Sequence, residues 1–212
     1  MPQRNKNMNL HKVMLLARIA FMFFHVLVFG WQVTTILAQA TDEIHYTFTQ
    51  TDTSYIFYGN FHLSADPKCL LDICFDPEHL IELAPDAREV TLTSQGSKWN
   101  QLRYTYRKYL FFENTSLWDR QLDEDKLRVN FSLAWSENNL SVMPHIRSSS
   151  GFYQITPENE YSLVEYYQMC IVTDISLTGF YIDNTKKEAI NFLHRFSAYA
   201  RDHCNMSKSI DK

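Results

Sequence analysis

Glycine and proline are scarce in this chain of 212 residues, which contains only 5 Gly and 6 Pro. The chain also lacks internal repeats and low-complexity segments. Tyrosine and phenylalanine are abundant, with 12 and 15 copies. A composition poor in flexible residues and rich in aromatic ones excludes a linker-rich or disordered chain and indicates a packed globular domain.

Positive charge is in short supply outside the first forty residues. The whole chain has 20 Lys and Arg against 24 Asp and Glu, a net charge of −4. Four of those cations and none of the acids lie in residues 1–40, so the remainder has 16 cations against 24 acids, a net charge of −8. An acidic domain repels phosphate backbones, and no nucleic-acid partner is expected.

Residues 1–40 contain no Asp or Glu, and no charged residue interrupts the stretch from Ile19 to Ala38. Four basic residues precede that stretch, and Ala38-Gln39-Ala40 ends it. A positive segment, an apolar segment and an A-x-A site are the parts of a secretory signal peptide. About twenty uncharged residues are also long enough for an uncleaved membrane anchor. Residues 1–40 are therefore predicted to be a signal peptide or an anchor, and the domain is predicted to be periplasmic, secreted or membrane-anchored outside the cytoplasm.

Motifs that would identify a cofactor, a metal or a catalytic mechanism are missing. The chain has no CxxC pair, no Cys/His grouping with zinc spacing, no Ser-His-Asp order and no Gly-rich phosphate loop. No cofactor, metal site or catalytic residue is therefore assigned. The residues that could serve acid–base chemistry are scattered, and each is equally explained as a solvated or hydrogen-bonded side chain: His62, His79, Arg103, Arg107, His145 and Glu165.

The remaining 172 residues are the size of one domain, and their pattern predicts both strands and helices. Residues 44–64 are dense in β-forming residues, and 88–175 is predicted to be a run of antiparallel strands. Leu102–Arg107 and Arg128–Trp135 alternate apolar and polar side chains, as half-buried strands do, and the middle of Tyr161–Ile175 is apolar on both faces. Asp66-Pro67 and Asp76-Pro77 each place a capping carboxylate before a proline, which predicts two short helices. Apolar residues from Ala189 to Ala200 recur at helical spacing. They predict a long terminal helix, capped by Asp183 or Asn184 and ending near Cys204.

This order of elements resembles the START-like helix-grip superfamily, also called SRPBCC. The superfamily includes START lipid-transfer domains, polyketide cyclase/dehydrase-like proteins and plant pollen allergens. Ser149–Pro157 and Val164-Glu165-Tyr166 resemble its last two strands, and Gly179–Asn184 resembles the entry to its closing helix. The resemblance covers most of residues 54–204.

The resemblance implies an α+β fold. A curved antiparallel sheet of about seven strands wraps on the long C-terminal helix, and two short helices follow the first strand. It places the domain at residues 54–205, an N-terminal segment at 41–53 and a tail at 206–212. A cavity lies between sheet and helix, and the short helices cradle the C-terminal half of the long one.

The same predicted arrangement of helices indicates which of the four cysteines can form a disulfide. An even number in an exported chain permits two disulfides, and four buried free thiols are the alternative. The cradle brings Cys69 and Cys74 near Cys204, which lies on the apolar stripe of the last helix. Cys69 and Cys74 point about 140° apart on one helix, so they are not expected to pair with each other. We expect a disulfide from Cys204 to Cys74 or to Cys69.

The resemblance implies that a monomer binds a lipid or another hydrophobic small molecule in the cavity. A membrane enters only as the source of the ligand or through an uncleaved leader. A polyketide cyclase/dehydrase-like enzyme acting in the same cavity is the alternative, and an interaction protein with exposed Trp99 or Trp118 is a third. The same inward side chains could also interdigitate as a solid core. The predicted lining consists of Leu102, Tyr104, Tyr106, Phe131, Leu133, Trp135, Phe152, Val164 and Tyr166.

Overall fold

The computed structural model describes residues 43–85, 87–108 and 112–210. The predicted signal peptide or anchor lies outside these residues. Within them, no helix combines the length and the apolar character needed to cross a membrane.

A single antiparallel sheet of eight strands forms the body of the domain, in the order β1-β2-β8-β7-β6-β5-β4-β3. The α+β helix-grip architecture is confirmed, with eight strands where about seven were predicted. The additional strand is β1, inside the predicted N-terminal segment 41–53. The strands are β1 His45–Gln50, β2 Ser54–Leu63, β3 Ala87–Gly96, β4 Trp99–Lys108, β5 Phe112–Asp123, β6 Arg128–Asn138, β7 Ile146–Glu158 and β8 Tyr161–Val172.

Strand β1 is short and mostly exposed, which explains why its boundary with β2 was not recognised. A tight turn divides the two strands, with the Thr51 N–H donating to the Ser54 carbonyl at 2.8 Å. Phe48 of β1 packs on Tyr55 and Phe57 of β2. The predicted strand-like region 44–64 is therefore a hairpin, and the short helices follow its second strand.

The two short helices, α1 Pro67–Phe75 and α2 Pro77–Leu83, begin where the Asp-Pro pairs predicted. The Asp66 carboxylate accepts hydrogen bonds from the N–H groups of Lys68 and Cys69. The Asp76 carboxylate accepts one from the Glu78 N–H. Each carboxylate thus satisfies donors that a helix leaves unpaired in its first turn.

The long helix α3 spans Thr178–Ile210 and begins five residues before the predicted cap at Asp183. Ile182, seven residues before Ala189, is buried and extends the apolar stripe by two turns. The Thr178 hydroxyl fixes the start, because it donates to the Thr173 carbonyl and accepts from the Ile175 N–H. Asn184 does not cap the helix; its side chain donates to the Phe180 carbonyl within it.

A disulfide between Cys69 and Cys204 ties α1 to α3, with the two Cα atoms 6.0 Å apart. Of the two expected pairings this is the one to Cys69, and the pairing of Cys74 with Cys204 is wrong. Cys74 points into the core, where it is fully buried as a free thiol. It lies on the opposite side of α1 from Cys69, as their five-residue spacing requires.

Candidate ligand-binding cavity

A cavity of about 450 Å³ lies between the inner face of the sheet and α3. The short helix α2 closes one side through Leu80 and Leu83, and the β6–β7 loop contributes Met143 and Pro144. Ten of the 26 residues that line it are aromatic. The aromatic lining residues are Tyr55, Tyr104, Tyr106, Trp118, Phe131, Tyr153, Tyr166, Phe180, Tyr181 and Phe192.

Four of the nine predicted lining residues lie on this wall: Tyr104, Tyr106, Phe131 and Tyr166. Phe131 and Tyr166 stack with ring centroids 5.9 Å apart, and Phe192 of α3 packs on Tyr166 at 5.5 Å. Leu102 and Val164 are on the inner side but lie in the packed core rather than on the wall, and are 0% and 2% exposed. For these two the solid-core alternative is the correct one.

Leu133 and Trp135 do not line the cavity as predicted, and a β-bulge in β6 is the reason. Trp118 of β5 pairs with Leu133 and Leu117 pairs with Trp135, so β6 has one extra residue, Ala134, at this point. The extra residue reverses the alternation, because side chains change face at every residue of a strand. Trp135 therefore lies on the outer face and is 43% exposed. Leu133 is half-buried beside the bulge and does not line the cavity.

Phe152 was assigned to the wrong face of β7. Tyr153, not Phe152, pairs with Tyr166 of β8, and paired residues share a face. Phe152 lies on the outer face, where it stacks on Tyr167 at 5.4 Å and the Arg128 guanidinium covers its ring at 3.6 Å. The cavity wall receives Tyr153 instead, which was not among the predicted lining residues.

One polar end of the cavity is built around Arg120 of β5, which is 4% exposed. Its guanidinium donates to the Phe75 carbonyl at 2.9 Å, to the Asn100 Oδ1 at 3.1 Å and to the Cys74 carbonyl. Burial lowers the pKa of Arg120, and the nearby Tyr104 and Tyr153 hydroxyls act in the opposite direction. The guanidinium remains charged, since arginine does not lose its proton in proteins.

A second polar group of the wall is Gln168 on β8. Its Oε1 accepts from the Tyr166 hydroxyl at 3.0 Å and from the Tyr55 hydroxyl at 3.5 Å. Its Nε2 donates to the Ser149 hydroxyl at 3.1 Å. Gln168 is thus a satisfied buried side chain that holds two tyrosine hydroxyls in place.

The candidate catalytic residues do not meet in the cavity. His62 pairs with Glu158 at the surface, and Glu165 accepts from the Tyr58 hydroxyl on the outer face. His79 contacts the Tyr199 hydroxyl between the helices at 2.8 Å. His145 and Arg103 do not line the cavity, and the side chain of Arg107 is outside the described part of the chain.

Of the two tryptophans considered for a partner surface, Trp99 is exposed and Trp118 lines the cavity.

The two free thiols, Cys74 and Cys170, are predicted to be unreactive in the native protein. Cys74 and Cys170 are fully buried, and burial raises the pKa of Cys170 to about 11. Because the thiolate is the reactive form, neither residue should be alkylated in the native protein. We expect no mass increase after iodoacetamide treatment at pH 8 without denaturant, and two added groups when the same reaction is run in guanidinium. Alkylation of either thiol before unfolding would contradict the burial.

No protein-family model and no curated protein sequence matches the chain. Solved structures do match. A STAR-related lipid transfer protein from Xanthomonas axonopodis (residues 25–204) superposes with a TM-score of 0.57 at 10% identity, over 77% of this chain and 97% of that one. A START superfamily protein from Mycobacterium smegmatis gives 0.52 at 12% identity, over 71% and 97%.

The di-domain ARO/CYC StfQ from the steffimycin biosynthetic pathway gives a TM-score of 0.58 at 7% identity. That match covers 74% of this chain and 53% of StfQ. At such low identity the agreement is one of architecture alone. The chain therefore has the START-like helix-grip fold.

Proposed function

We propose that this protein binds a lipid or another hydrophobic small molecule in the cavity between the sheet and α3. The observation that carries the proposal is a space of about 450 Å³ between the sheet and α3, with ten aromatic residues on its wall. Small-molecule pockets occupy roughly 300–1,000 Å³. Because unfilled apolar space costs stability, retained space of this size favours a binding role. The Xanthomonas structure, named a lipid transfer protein, supports a hydrophobic ligand for this fold.

The proposal includes export. Its support is the leader itself: basic residues, an uncharged run from Ile19 to Ala38 and an A-x-A site. A disulfide between Cys69 and Cys204 is consistent with an oxidising compartment. Fractionation of cells that produce the full chain, with N-terminal sequencing of the product, tests this part. A product in the cytoplasm with an intact leader would contradict it.

Closing the cavity from α3 tests the binding proposal. Ala189 lines the cavity, so Ala189→Trp would place an indole in the ligand space. We expect the affinity for the apolar fluorescent probe N-phenyl-1-naphthylamine to fall by roughly tenfold or more, the equivalent of about 1.4 kcal/mol. Wild-type protein purified without detergent should also release apolar molecules in native mass spectrometry, and the variant should not.

The matched control is Ala198→Trp, the same substitution on the exposed side of the same helix. This variant should keep the probe affinity of the wild type. Circular dichroism and thermal melting must first show that both variants are folded. Equal probe binding by both tryptophan variants, or no binding by the wild type, would contradict the proposed function.

A polyketide cyclase/dehydrase-like enzyme is the second candidate, favoured by the convergence of Arg120, Tyr104 and Tyr153 on the cavity. These groups limit the chemistry that the wall can perform. Burial raises the pKa of both tyrosines, so they stay protonated at neutral pH. They can donate hydrogen bonds or a proton but cannot act as bases. Binding therefore takes precedence over catalysis in the proposal.

A further inference from the structure

Arg120 is a buried cation on the wall of the cavity, among several aromatic side chains. None of the ion pairs formed among the described residues includes it. Its hydrogen-bond partners are two backbone carbonyls at the end of α1 and the amide oxygen of Asn100. An isolated charge in such surroundings is costly unless other groups compensate for its desolvation.

The end of α1 supplies part of that compensation. The carbonyls of Cys74 and Phe75 belong to the last turn of α1, where a helix carries a partial negative charge of about half an electron. Asn100, which is 2% exposed, also donates to the Phe75 carbonyl at 3.0 Å. These contacts hold the guanidinium in one orientation, and the Asp76 carboxylate attracts it electrostatically without forming an ion pair with it among the described residues.

The remaining hydrogen-bonding capacity of this group is available to a ligand. A guanidinium has five N–H donors, and the contacts of Arg120 within the described residues use three. Tyr104 and Tyr153 line the cavity near Arg120 and interact with it electrostatically. Their hydroxyls make no hydrogen bond to another described residue, so they too can donate into the cavity.

We propose that Arg120, flanked by Tyr104 and Tyr153, receives the anionic head of the ligand, and that the ligand is an amphiphilic organic acid. Its carboxylate pairs with the guanidinium and its apolar body lies along the aromatic wall. This inference rests on the proposed function and narrows it to a ligand class. Arginine suits the role because its planar donors match the two oxygens of a carboxylate.

A purely structural role for Arg120, as a clamp on the end of α1, makes a different prediction. A clamp affects folding stability but gives no preference for an acid over the matching alcohol. The acidic domain as a whole, with a net charge of −8 outside the leader, disfavours anions. A preference for an acid must therefore arise locally, within the cavity.

Displacement of bound N-phenyl-1-naphthylamine measures this preference. One pair of competitors is dodecanoate and 1-dodecanol, and the other is 2-naphthoate and 2-naphthalenemethanol. A charge-assisted hydrogen bond predicts that the acid binds roughly 10- to 100-fold more tightly than its alcohol in at least one pair. The alkyl pair represents a fatty acid and the aryl pair an aromatic acid, so the pair with the larger ratio identifies the ligand body.

Arg120→Gln should reduce that ratio to about one while N-phenyl-1-naphthylamine, which has no anionic group, still binds. Arg103→Gln is the matched control, because Arg103 is an exposed cation on β4 and does not line the cavity. It should keep the wild-type ratio. If Arg120→Gln does not fold, Tyr104→Phe/Tyr153→Phe retains the cation and should lower the ratio by roughly three- to tenfold, as expected for lost neutral hydrogen bonds.

Equal binding of acid and alcohol by the wild type would overturn the inference while leaving the proposed function intact. So would a wild-type ratio that Arg120→Gln leaves unchanged. Failure of the wild type to bind the neutral probe is a separate result, which contradicts the proposed function itself.

Discussion

Replacing Cys69 and Cys204 together by alanine is expected to lower the free energy of unfolding by about 4–5 kcal/mol. The disulfide joins residues 135 positions apart and so closes most of the domain into one loop. In the chain-entropy model, a loop of this length removes a large number of conformations from the unfolded state, and releasing it restores them. For a domain of this size the midpoint of thermal unfolding should fall by roughly 10–20 °C.

Three measurements separate the disulfide from a packing effect. A reductant should lower the melting temperature of the wild type but not that of the double variant. Cys74→Ala removes a buried sulfur outside the disulfide, so it should cost only about 1 kcal/mol and leave the reductant effect unchanged. Wild-type protein unfolded without reductant should show two free thiols, those of Cys74 and Cys170. A reductant-insensitive wild type would contradict the Cys69–Cys204 pairing.

Local signals in the sequence predict all three helices, and they predict the starts of the two short ones. The Asp-Pro pairs predicted the start of α1 and α2, because capping depends on only a few neighbouring residues. The apolar stripe predicts α3 but not its start, because Asp183 and Asn184 look like caps although Ile182 continues the stripe. A polar residue within a helix and a polar residue at its end look the same until the stripe is followed past it.

The inner face of the sheet was harder to predict, because face depends on register and register depends on partners distant in the chain. Tyr166 was assigned correctly, yet nothing local shows that its partner is Tyr153 rather than Phe152. Ala134 forms a bulge without glycine or proline to mark it, so Trp135 was placed inside. In each case a shift of one residue moves an aromatic side chain from the cavity wall to the outer face of the sheet.

Arg120 was missed for a different reason, since the sequence did contain a signal for it. It lies two residues from Trp118 and two from Leu122 in β5, on the same face as both. An arginine between two apolar residues on one strand face is either an exposed residue that interrupts a buried face or a buried cation within it. The pattern alone could not decide, because the compensating carbonyls of Cys74 and Phe75 come from a helix more than forty residues earlier.

A substitution at Gly151 is the second change for which we expect a large loss of folding stability. It lies on the inner face of β7, between Phe131 of β6 and Gln168 of β8. A Cβ atom at this position would lie within 3.0 Å of both the backbone carbonyl of Tyr167 and the ring of Phe131. The ring could turn aside, but the carbonyl belongs to the next strand and can move only if the sheet is distorted. The requirement is for space rather than for an unusual backbone angle, because no described glycine has a positive φ.

We therefore expect Gly151→Ala to lower the free energy of unfolding by about 3 kcal/mol, as overpacking a rigid site does. Gly179→Ala is the matched control, because a Cβ atom there meets nothing within 4 Å. Gly179 lies in the first turn of α3, where alanine should stabilise the helix by about 0.5 kcal/mol. Urea unfolding of the two variants should thus show shifts of opposite sign. If Gly151→Ala were as stable as the wild type, β7 and β8 could not approach as closely as this sheet requires, and the wall that Tyr153 and Tyr166 form would have to be placed differently.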